Sequence, residues 1–183
     1  MALTTVRSTG IGSLPAISGA NLTSLNASNI SSGTLNSARF SGGKIGQFVR
    51  SQQTSAATVS STTYTDIGLS VNITPSATSS KIIVMGNIKY SIGTSNTDRG
   101  FGVRCLRDST NIGTSATLYD VYHKSTNSDF IDGGRFPLCL FDESANTTSQ
   151  ITYSFRIGAW NNQSVTINSD SNYSEIMCWE LLA

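Results

Sequence analysis

The sequence predicts an all-β protein: an antiparallel β-sandwich or jelly-roll-like head that follows an extended N-terminal segment. After residue 43, apolar and polar residues alternate with a period of two through most of the chain, and no useful length of sequence has a helical period. Residues 1–43 instead carry isolated apolar side chains among Ser, Thr, Asn, Gly and Ala. We therefore divide the chain into an extended segment, residues 1–43, and a β-domain, residues 44–183.

Six apolar residues stand nearly alone in the N-terminal segment, which contains no Asp or Glu. From the third of them onward they recur every fifth residue, a spacing that fits neither a helix face nor a strand face. It suits a chain that turns every few residues and adds one side chain per turn to a shared seam. One copy cannot bury enough apolar surface to offset the entropy of ordering, but several copies could. We expect a trimerisation and docking segment anchored by Ile17, Leu22, Leu25, Ile30, Leu35 and Phe40.

The first half of the β-domain contains the clearest strand pattern. We expect a short strand at Gln47–Val49, then a polar loop through Ser61, and next a strand that buries one face. The buried face consists of Ile67, Leu69, Val71 and Ile73. After a turn at Pro75–Ser80, the apolar run in Lys81–Tyr90 predicts a central strand that is buried on both faces.

The second half predicts further strands between polar loops. The loops or turns are Gly93–Asp98, Asp108–Ser115, Ser125–Gly134 and Glu143–Ser149, and the strands are Phe101–Cys105, Leu118–His123, Phe136–Leu140, Ile151–Ala159, a return strand with Val165 and Ile167, and Tyr173–Leu182. Pro137 cannot donate to a ladder, so its strand should lie at an edge or start irregularly. The pair Asn161–Asn162 indicates a tight turn. Eight or nine short strands in one domain favour a sandwich or jelly roll.

Composition excludes several classes of function. The chain has 183 residues, a net charge of +1 and only 13% charged residues, so no strong field attracts nucleic acid or an anionic membrane. No apolar run reaches the ~20 residues that a membrane helix needs. The first ten residues hold an arginine but no apolar core of a secretory signal, so we expect synthesis and assembly in the cytoplasm of the producing cell.

Catalytic and metal-binding patterns are weak. The three cysteines are far apart and form no CxxC pair, so we expect reduced, buried thiols, with a single disulfide as the alternative. One histidine, His123, is available, and we expect it at a surface or interface. The carboxylates are scattered, which predicts no enzyme, no cofactor and no metal site, although a glycan depolymerase that pairs carboxylates in space stays open.

A weaker pattern indicates sugar binding. Aromatic faces stack on sugar rings, and amides or carboxylates in loops bind the hydroxyls. Trp160 beside Asn161 and Asn162 fits this requirement, as do Tyr119 and Tyr122 with the polar loop that follows them. The alternative is that these aromatic residues pack in the core or between subunits.

Two segments resemble bacteriophage proteins. Residues 19–35 read GANLTSLNASNISSGTL and are followed by Ala38-Arg39-Phe40, a pattern similar to the repeats of bacteriophage tail fibres. Residues 63–84 read TYTDIGLSVNITPSATSSKIIV and are similar to the β-domain of many phage fibre and virion structural proteins. Together these segments cover about 40 residues of the chain.

The resemblance implies a homotrimeric virion protein with a β-sandwich head and no catalytic residues. The first hypothesis is a tail fibre that docks on other tail or baseplate proteins through its N-terminus and presents the head to a host-surface glycan. The second hypothesis is a virion structural protein without receptor function, such as a head fibre, a capsid decoration or a tail-assembly component. The third is the depolymerase. In each case the expected location is the virion.

Overall fold

The computed structural model describes residues 44–93, 97–114, 118, 120–124, 132–169 and 171–182. The six anchors predicted between Ile17 and Phe40, the domain boundary at residue 43 and the side chain of Tyr119 lie outside the described residues. Within these residues the chain forms eleven β-strands: β1 (Lys44–Gln53), β2 (Ala57–Val59), β3 (Thr65–Ile73), β4 (Lys81–Ile92), β5 (Arg99–Arg107), β6 (Thr110–Thr114), β7 (Val121–His123), β8 (Asp132–Asp142), β9 (Ile151–Ala159), β10 (Val165–Ile167) and β11 (Ser174–Leu182).

The strands form two antiparallel sheets. The first sheet has the order β1-β11-β4-β8, and β10 continues the β11 position along the last residues of β4, with β2 beside it. The second sheet has the order β3-β9-β5-β6, and β7 pairs with the start of β5.

The pairing has the topology of a jelly roll. We count β1–β2, β6–β7 and β10–β11 as one position each, which gives eight positions along the chain. In the first sheet, position one (β1–β2) pairs with position eight (β10–β11), and position three (β4) pairs with position six (β8). In the second sheet, position two (β3) pairs with position seven (β9), and position four (β5) pairs with position five (β6–β7). A long two-stranded ribbon has therefore been rolled up so that its successive pairs alternate between the sheets. The predicted all-β, antiparallel jelly-roll-like fold is confirmed.

The first sheet is interrupted between β1 and β2 and again between β10 and β11, and hydrogen bonds connect these two interruptions. Asn168, with a left-handed φ of 56°, separates β10 from β11, and its amide donates to the carbonyl of Ser55, which lies between β1 and β2. Ser174 donates to Asn168 Oδ1 at 2.6 Å and accepts from the amide of Lys89. Buried polar groups are therefore satisfied where both ladders break.

The core lies between the inner faces of the sheets. The predicted inward set of β3 is confirmed, because Ile67, Leu69, Val71 and Ile73 are all buried. Alternate residues of β9 lie beside them in the same sheet, and those of β4 and β11 complete the core from the other sheet. Each fully buried Leu, Ile or Phe contributes roughly 1.5–3 kcal/mol. The largest fully buried apolar residues include Phe101, Phe155, Ile82, Ile88, Ile151, Ile157 and Ile176.

The prediction that β4 is buried on both faces is wrong. Ile82 and Val84 face the core, but Ile83 is half-buried and Met85 is 37% exposed. Among the described strands, the first sheet packs against one other layer, and no second sheet covers its outer face. The central position of β4 is confirmed by its pairing on both edges.

Three other local predictions need correction. The chain forms β6 where Asp108–Ser115 was expected to turn, because a two-residue turn with Asp108 at φ 53° returns it to β5 at once. Val165 and Ile167 do not pair with β9, since both edges of β9 are taken by β3 and β5, and they join the first sheet instead. Of the three cysteines, Cys139 is exposed.

Pro137 behaves as predicted. It lies in β8, which pairs only with β4 among the described strands and so forms an edge of the first sheet. Edge strands tolerate proline because its nitrogen, which has no hydrogen to donate, can face away from the neighbouring strand.

Candidate functional site

The β-domain has two distinct ends. At one end, Lys44 pairs with Leu182 where the chain enters β1, and Lys81 pairs with Leu181 at the start of β4. At the other end, Ile92 at the end of β4 pairs with Val165. We call this second end, with residues 60–64, 97–99, 120–124 and 160–164, the loop end.

Two hydrogen bonds join the connection after β2 to the connection after β9. Ala159 N donates to the carbonyl of Ser61 at 2.8 Å, and Thr62 N donates to Asn162 Oδ1 at 3.3 Å. These bonds join segments that are 100 residues apart in sequence. The loop end is therefore built by tertiary contacts between the two sheets.

Asn161 and Asn162 form the predicted tight turn. Both have positive φ, at 51° and 56°, and Gln163 N donates to the carbonyl of Trp160 at 3.0 Å. This is the geometry of a type I′ turn, which favours Asn because its short side chain tolerates left-handed φ. Both asparagines are exposed, and Trp160 is half-buried at the base of the turn.

Tyr122 comes from a different strand and lies beside Trp160. The two ring centroids are 6.5 Å apart with an edge-to-face angle of 79°. Tyr122 Oη donates to Asp98 Oδ2 at 2.5 Å, which fixes the ring while leaving the residue 42% exposed. The result is a surface of two aromatic rings next to two exposed amides, which could stack on a sugar ring and bind its hydroxyls.

The close packing of strands and loops at the loop end depends on two glycines, Gly100 and Gly158. A Cβ on Gly100 would lie 2.3 Å from the carbonyl oxygen of Val121, so β7 can approach β5 only because this residue has no side chain. A Cβ on Gly158 would lie 2.5 Å from Leu118 and 3.0 Å from the carbonyl of Thr62.

Two arginines lie on the outer face of the second sheet next to the loop end. Arg104 and Arg156 are directly paired across β5 and β9, and the guanidinium of Arg104 lies 3.9 Å above the ring of Tyr64. Neither Nε atom is solvent-accessible, and neither has a hydrogen-bond acceptor among the described residues. Like charges at directly paired positions repel, so the stack on Tyr64 offsets part of this cost.

The structure brings together four of the five residues predicted to bind a receptor. Trp160, Asn161, Asn162 and Tyr122 share the loop end, while Tyr119 and residues 125–131 lie outside the described residues. Sequence reasoning missed Asp98 and Tyr64, which support the aromatic pair and Arg104 respectively. Their only sequence signal is a place in a turn or just before a strand, and many other residues share that signal.

Other kinds of site are not apparent in the described ranges. No group of three or more His, Cys, Asp or Glu side chains there could hold a metal ion. Hollows of about 410 and 350 Å³ lie beside Ser51 and Ser70 and beside Arg107 and Phe141, away from the loop end. Among the described residues, no helix is long and apolar enough to cross a membrane.

Comparison with known proteins assigns no family. No model of a known protein family matches the chain, and no curated protein matches it. Among solved structures, the chain is similar to the VP2 subviral particle of infectious bursal disease virus, with 14% identity, a TM-score of 0.38 and coverage of 76% of this chain and 38% of that one. A structure of the Gx strain of the same virus gives 11% identity, a TM-score of 0.28, and coverage of 75% and 40%. The chain spans less than half of each of these proteins, and these values are too low to assign a family or a function.

Proposed function

We propose that the chain is a homotrimeric structural component of a bacteriophage virion: a tail-fibre subunit that docks through residues 1–43 and binds a host-surface glycan with its loop end. The proposal rests on the resemblance of residues 19–35 and 63–84 to phage proteins and on the architecture of the β-domain. The jelly-roll fold alone does not indicate a function, because viral capsids, lectins and enzymes all use it.

The observation that carries the receptor role is the polarity of the β-domain. The N-terminal segment joins at Lys44, and the surface of Tyr122, Trp160, Asn161 and Asn162 lies at the opposite end. A subunit that is attached through its N-terminus would therefore direct this surface away from its attachment. Three weak sites on one trimer would bind a cell surface with useful avidity.

The proposal includes glycan binding but no catalytic step. The two most deeply buried carboxylates among the described residues, Asp142 and Glu180, hydrogen-bond to groups of the same chain, which gives them a structural role. Release of reducing sugar from host polysaccharide, lost on mutation of a pair of carboxylates, would instead support a depolymerase.

The test is adsorption of the purified full chain to host cells, with Trp160→Ala and Asn161→Gly as variants. Glycine keeps the left-handed turn at residue 161 and removes only the amide side chain. We expect each variant to lower adsorption by at least about tenfold, a loss of about 1.4 kcal/mol. The melting temperature should stay close to that of the wild type.

The matched control is Tyr173→Ala, which removes an exposed aromatic residue that stacks under Arg135 outside the loop end. Its adsorption should equal that of the wild type. Unchanged adsorption of both loop-end variants would contradict the receptor surface. Immunogold labelling of intact particles decides the location, and labelling of the capsid would favour the structural role without receptor function.

A further inference from the structure

The outer face of the first sheet, which looks away from the core, exposes apolar side chains. Four of the large hydrophobic residues that are most exposed in the described chain lie there: Ile45, Phe48, Met85 and Phe141. Together with half-buried Ile83 and Trp179 they form what we call the outer apolar patch.

The register of the strands makes this patch continuous. Phe48 pairs with Trp179, Trp179 with Ile83, and Ile83 with Phe141, so one apolar row crosses the sheet from edge to edge. Directly paired residues point to the same side of a sheet, and the rings of Phe48 and Trp179 are 5.0 Å apart. Phe48 and Phe141, at the two ends of the row, are 50% and 52% exposed.

The outer face of the second sheet differs. Along β3 and β9 it presents Ser70 paired with Ser154 and Asn72 paired with Thr152, and Thr152 Oγ1 donates to Asn72 Oδ1 at 2.8 Å. This is the usual pattern of a sheet with one solvated face. A contiguous apolar surface on the first sheet is unusual for a protein that works alone and indicates a contact with another protein surface.

Charge at the border of the patch is already neutralised. Arg50 pairs with Met177 in the row next to Phe48, and its guanidinium lies 2.7 Å from Glu175 of the same chain. Covering the patch therefore leaves no unpaired arginine charge at this border, and aromatic and Met side chains are typical of interface centres.

We propose that the outer apolar patch faces the threefold axis of the trimer, where the same faces of the other two copies of this chain cover it. The patch starts at Ile45, one residue after the point where 43 further residues join the domain. Association of those residues between copies would bring the Lys44 ends of their first sheets together at high effective concentration. The apolar row is four strands wide, about 14 Å, so another sheet face covers it better than a single peptide strand does. This inference deepens the proposed homotrimer and rests on it.

The thiol of Cys139 is a natural chemical probe of this contact. Cys139 pairs with Met85 in the second row and is exposed in the single chain, whereas Cys105 and Cys178 are buried. Burial raises the pKa of the Cys105 thiol to about 12, so this thiol is poorly reactive as well as covered. The rate of Cys139 modification by a maleimide therefore reports whether the patch is covered, and Cys139→Ser identifies its signal.

The experiment compares the full-length wild type with Ile45→Lys and Phe48→Lys, which place the charge in the patch on β1, with β11 and β4 between it and Cys139 on β8. The matched control is Ser70→Lys, which adds the same charge to the polar outer face of the second sheet. We expect the wild type to have three times the mass of the chain and slow Cys139 modification. Each patch variant should react on the order of tenfold faster, as for a contact weakened by about 1.4 kcal/mol. Ser70→Lys should react like the wild type.

The outcomes separate this inference from the proposed function. Equal Cys139 rates in the wild type and both patch variants would overturn the contact, even in a protein of trimeric mass. A monomeric wild type would overturn both the contact and the homotrimer. A trimer with a shielded Cys139 that fails to adsorb to host cells would contradict only the receptor role and leave the contact standing.

Discussion

At the scale of single residues, the most consequential group is Asp142 at the end of β8. Its carboxylate is 4% exposed and accepts hydrogen bonds from Arg107 Nη1 at 2.8 and 2.9 Å, from Tyr153 Oη at 2.7 Å and from Ser144 N at 3.0 Å. Burial by itself would raise the pKa of Asp142, but the bonds from Tyr153, Ser144 and Arg107 outweigh it and hold the pKa below its usual value. This cluster joins β5, β8 and β9 and therefore links the two sheets.

Removal of Arg107 should be costly. Arg107→Ala leaves a buried carboxylate without its cation, and we expect a loss of about 3 kcal/mol in the free energy of unfolding. Tyr153→Phe removes one bond to a charged acceptor and should cost about 1.5–3 kcal/mol. Urea unfolding measures both. Arg135→Ala, which removes an exposed arginine, should cost less than about 0.5 kcal/mol, and an equal cost for both arginines would contradict the role of the cluster.

We expect acid to destabilise the fold because two buried carboxylates, Asp142 and Glu180, are protonated there. Glu180 is also buried, and although burial raises its pKa, hydrogen bonds that include those from Gln47 and Ser76 hold the pKa below its usual value. A carboxyl group with a lowered folded-state pKa stabilises the fold above its unfolded pKa of about 4 and loses this contribution as the pH falls through the folded pKa.

Urea unfolding measured from neutral pH down to about pH 3 should therefore show a steep loss of stability below about pH 4. Glu180→Gln and Asp142→Asn should each be less stable at neutral pH but lose less on acidification. A variant that keeps the full acid dependence of the wild type would show that its carboxylate is not responsible.

At the scale of elements, the contact between the sheets depends on a glycine in the central strand. Gly86 of β4 faces Phe155 of β9, and a Cβ there would lie 2.4 Å from Phe155 Cε2. Phe155 is fully buried, so its ring has no free space to move into. The small residue therefore allows β4 and β9 to approach each other.

Gly86→Ala should overpack this contact and destabilise the domain by about 1–3 kcal/mol. Thermal or urea unfolding measures the change. Gly93→Ala is the matched control. Among the described residues, a Cβ at residue 93 would meet the tip of the Arg99 side chain, at 3.4 Å, and stability should change by less than about 0.5 kcal/mol. A neutral Gly86→Ala would mean that the sheets can separate without loss of packing.

At the scale of the whole molecule, the two outer sheet faces and the two ends have different properties. One face is apolar and the other polar, and β1 begins with Lys44 at one end while the other end carries the aromatic and amide surface. In the proposed trimer these asymmetries have separate uses: the apolar face for contact between copies, and the loop end for the glycan.

A fragment that begins at Lys44 should fold by itself, because the buried apolar core described here lies within residues 59–178. We expect cooperative unfolding by circular dichroism and loss of the trimeric mass on dilution, since the fragment lacks the predicted anchors. A fragment that is unfolded, or one that stays trimeric at every concentration, would contradict the division of the chain at residue 43.

The sequence by itself determined the local features of the protein. Alternation fixed the buried face of β3, Pro137 indicated an edge strand, and Asn161–Asn162 indicated the tight turn, because each of these depends on neighbours in sequence. Only the tertiary structure decided which strands pair, which face of β4 is covered, and that Tyr122 lies beside Trp160. A period of two shows that a strand has one buried face, but its hydrogen-bond partners are distant in sequence, and the pattern carries no record of them. For the same reason, only the tertiary structure shows that Asp142 binds Arg107 and Tyr153. It alone also shows that a continuous apolar row runs from Phe48 to Phe141.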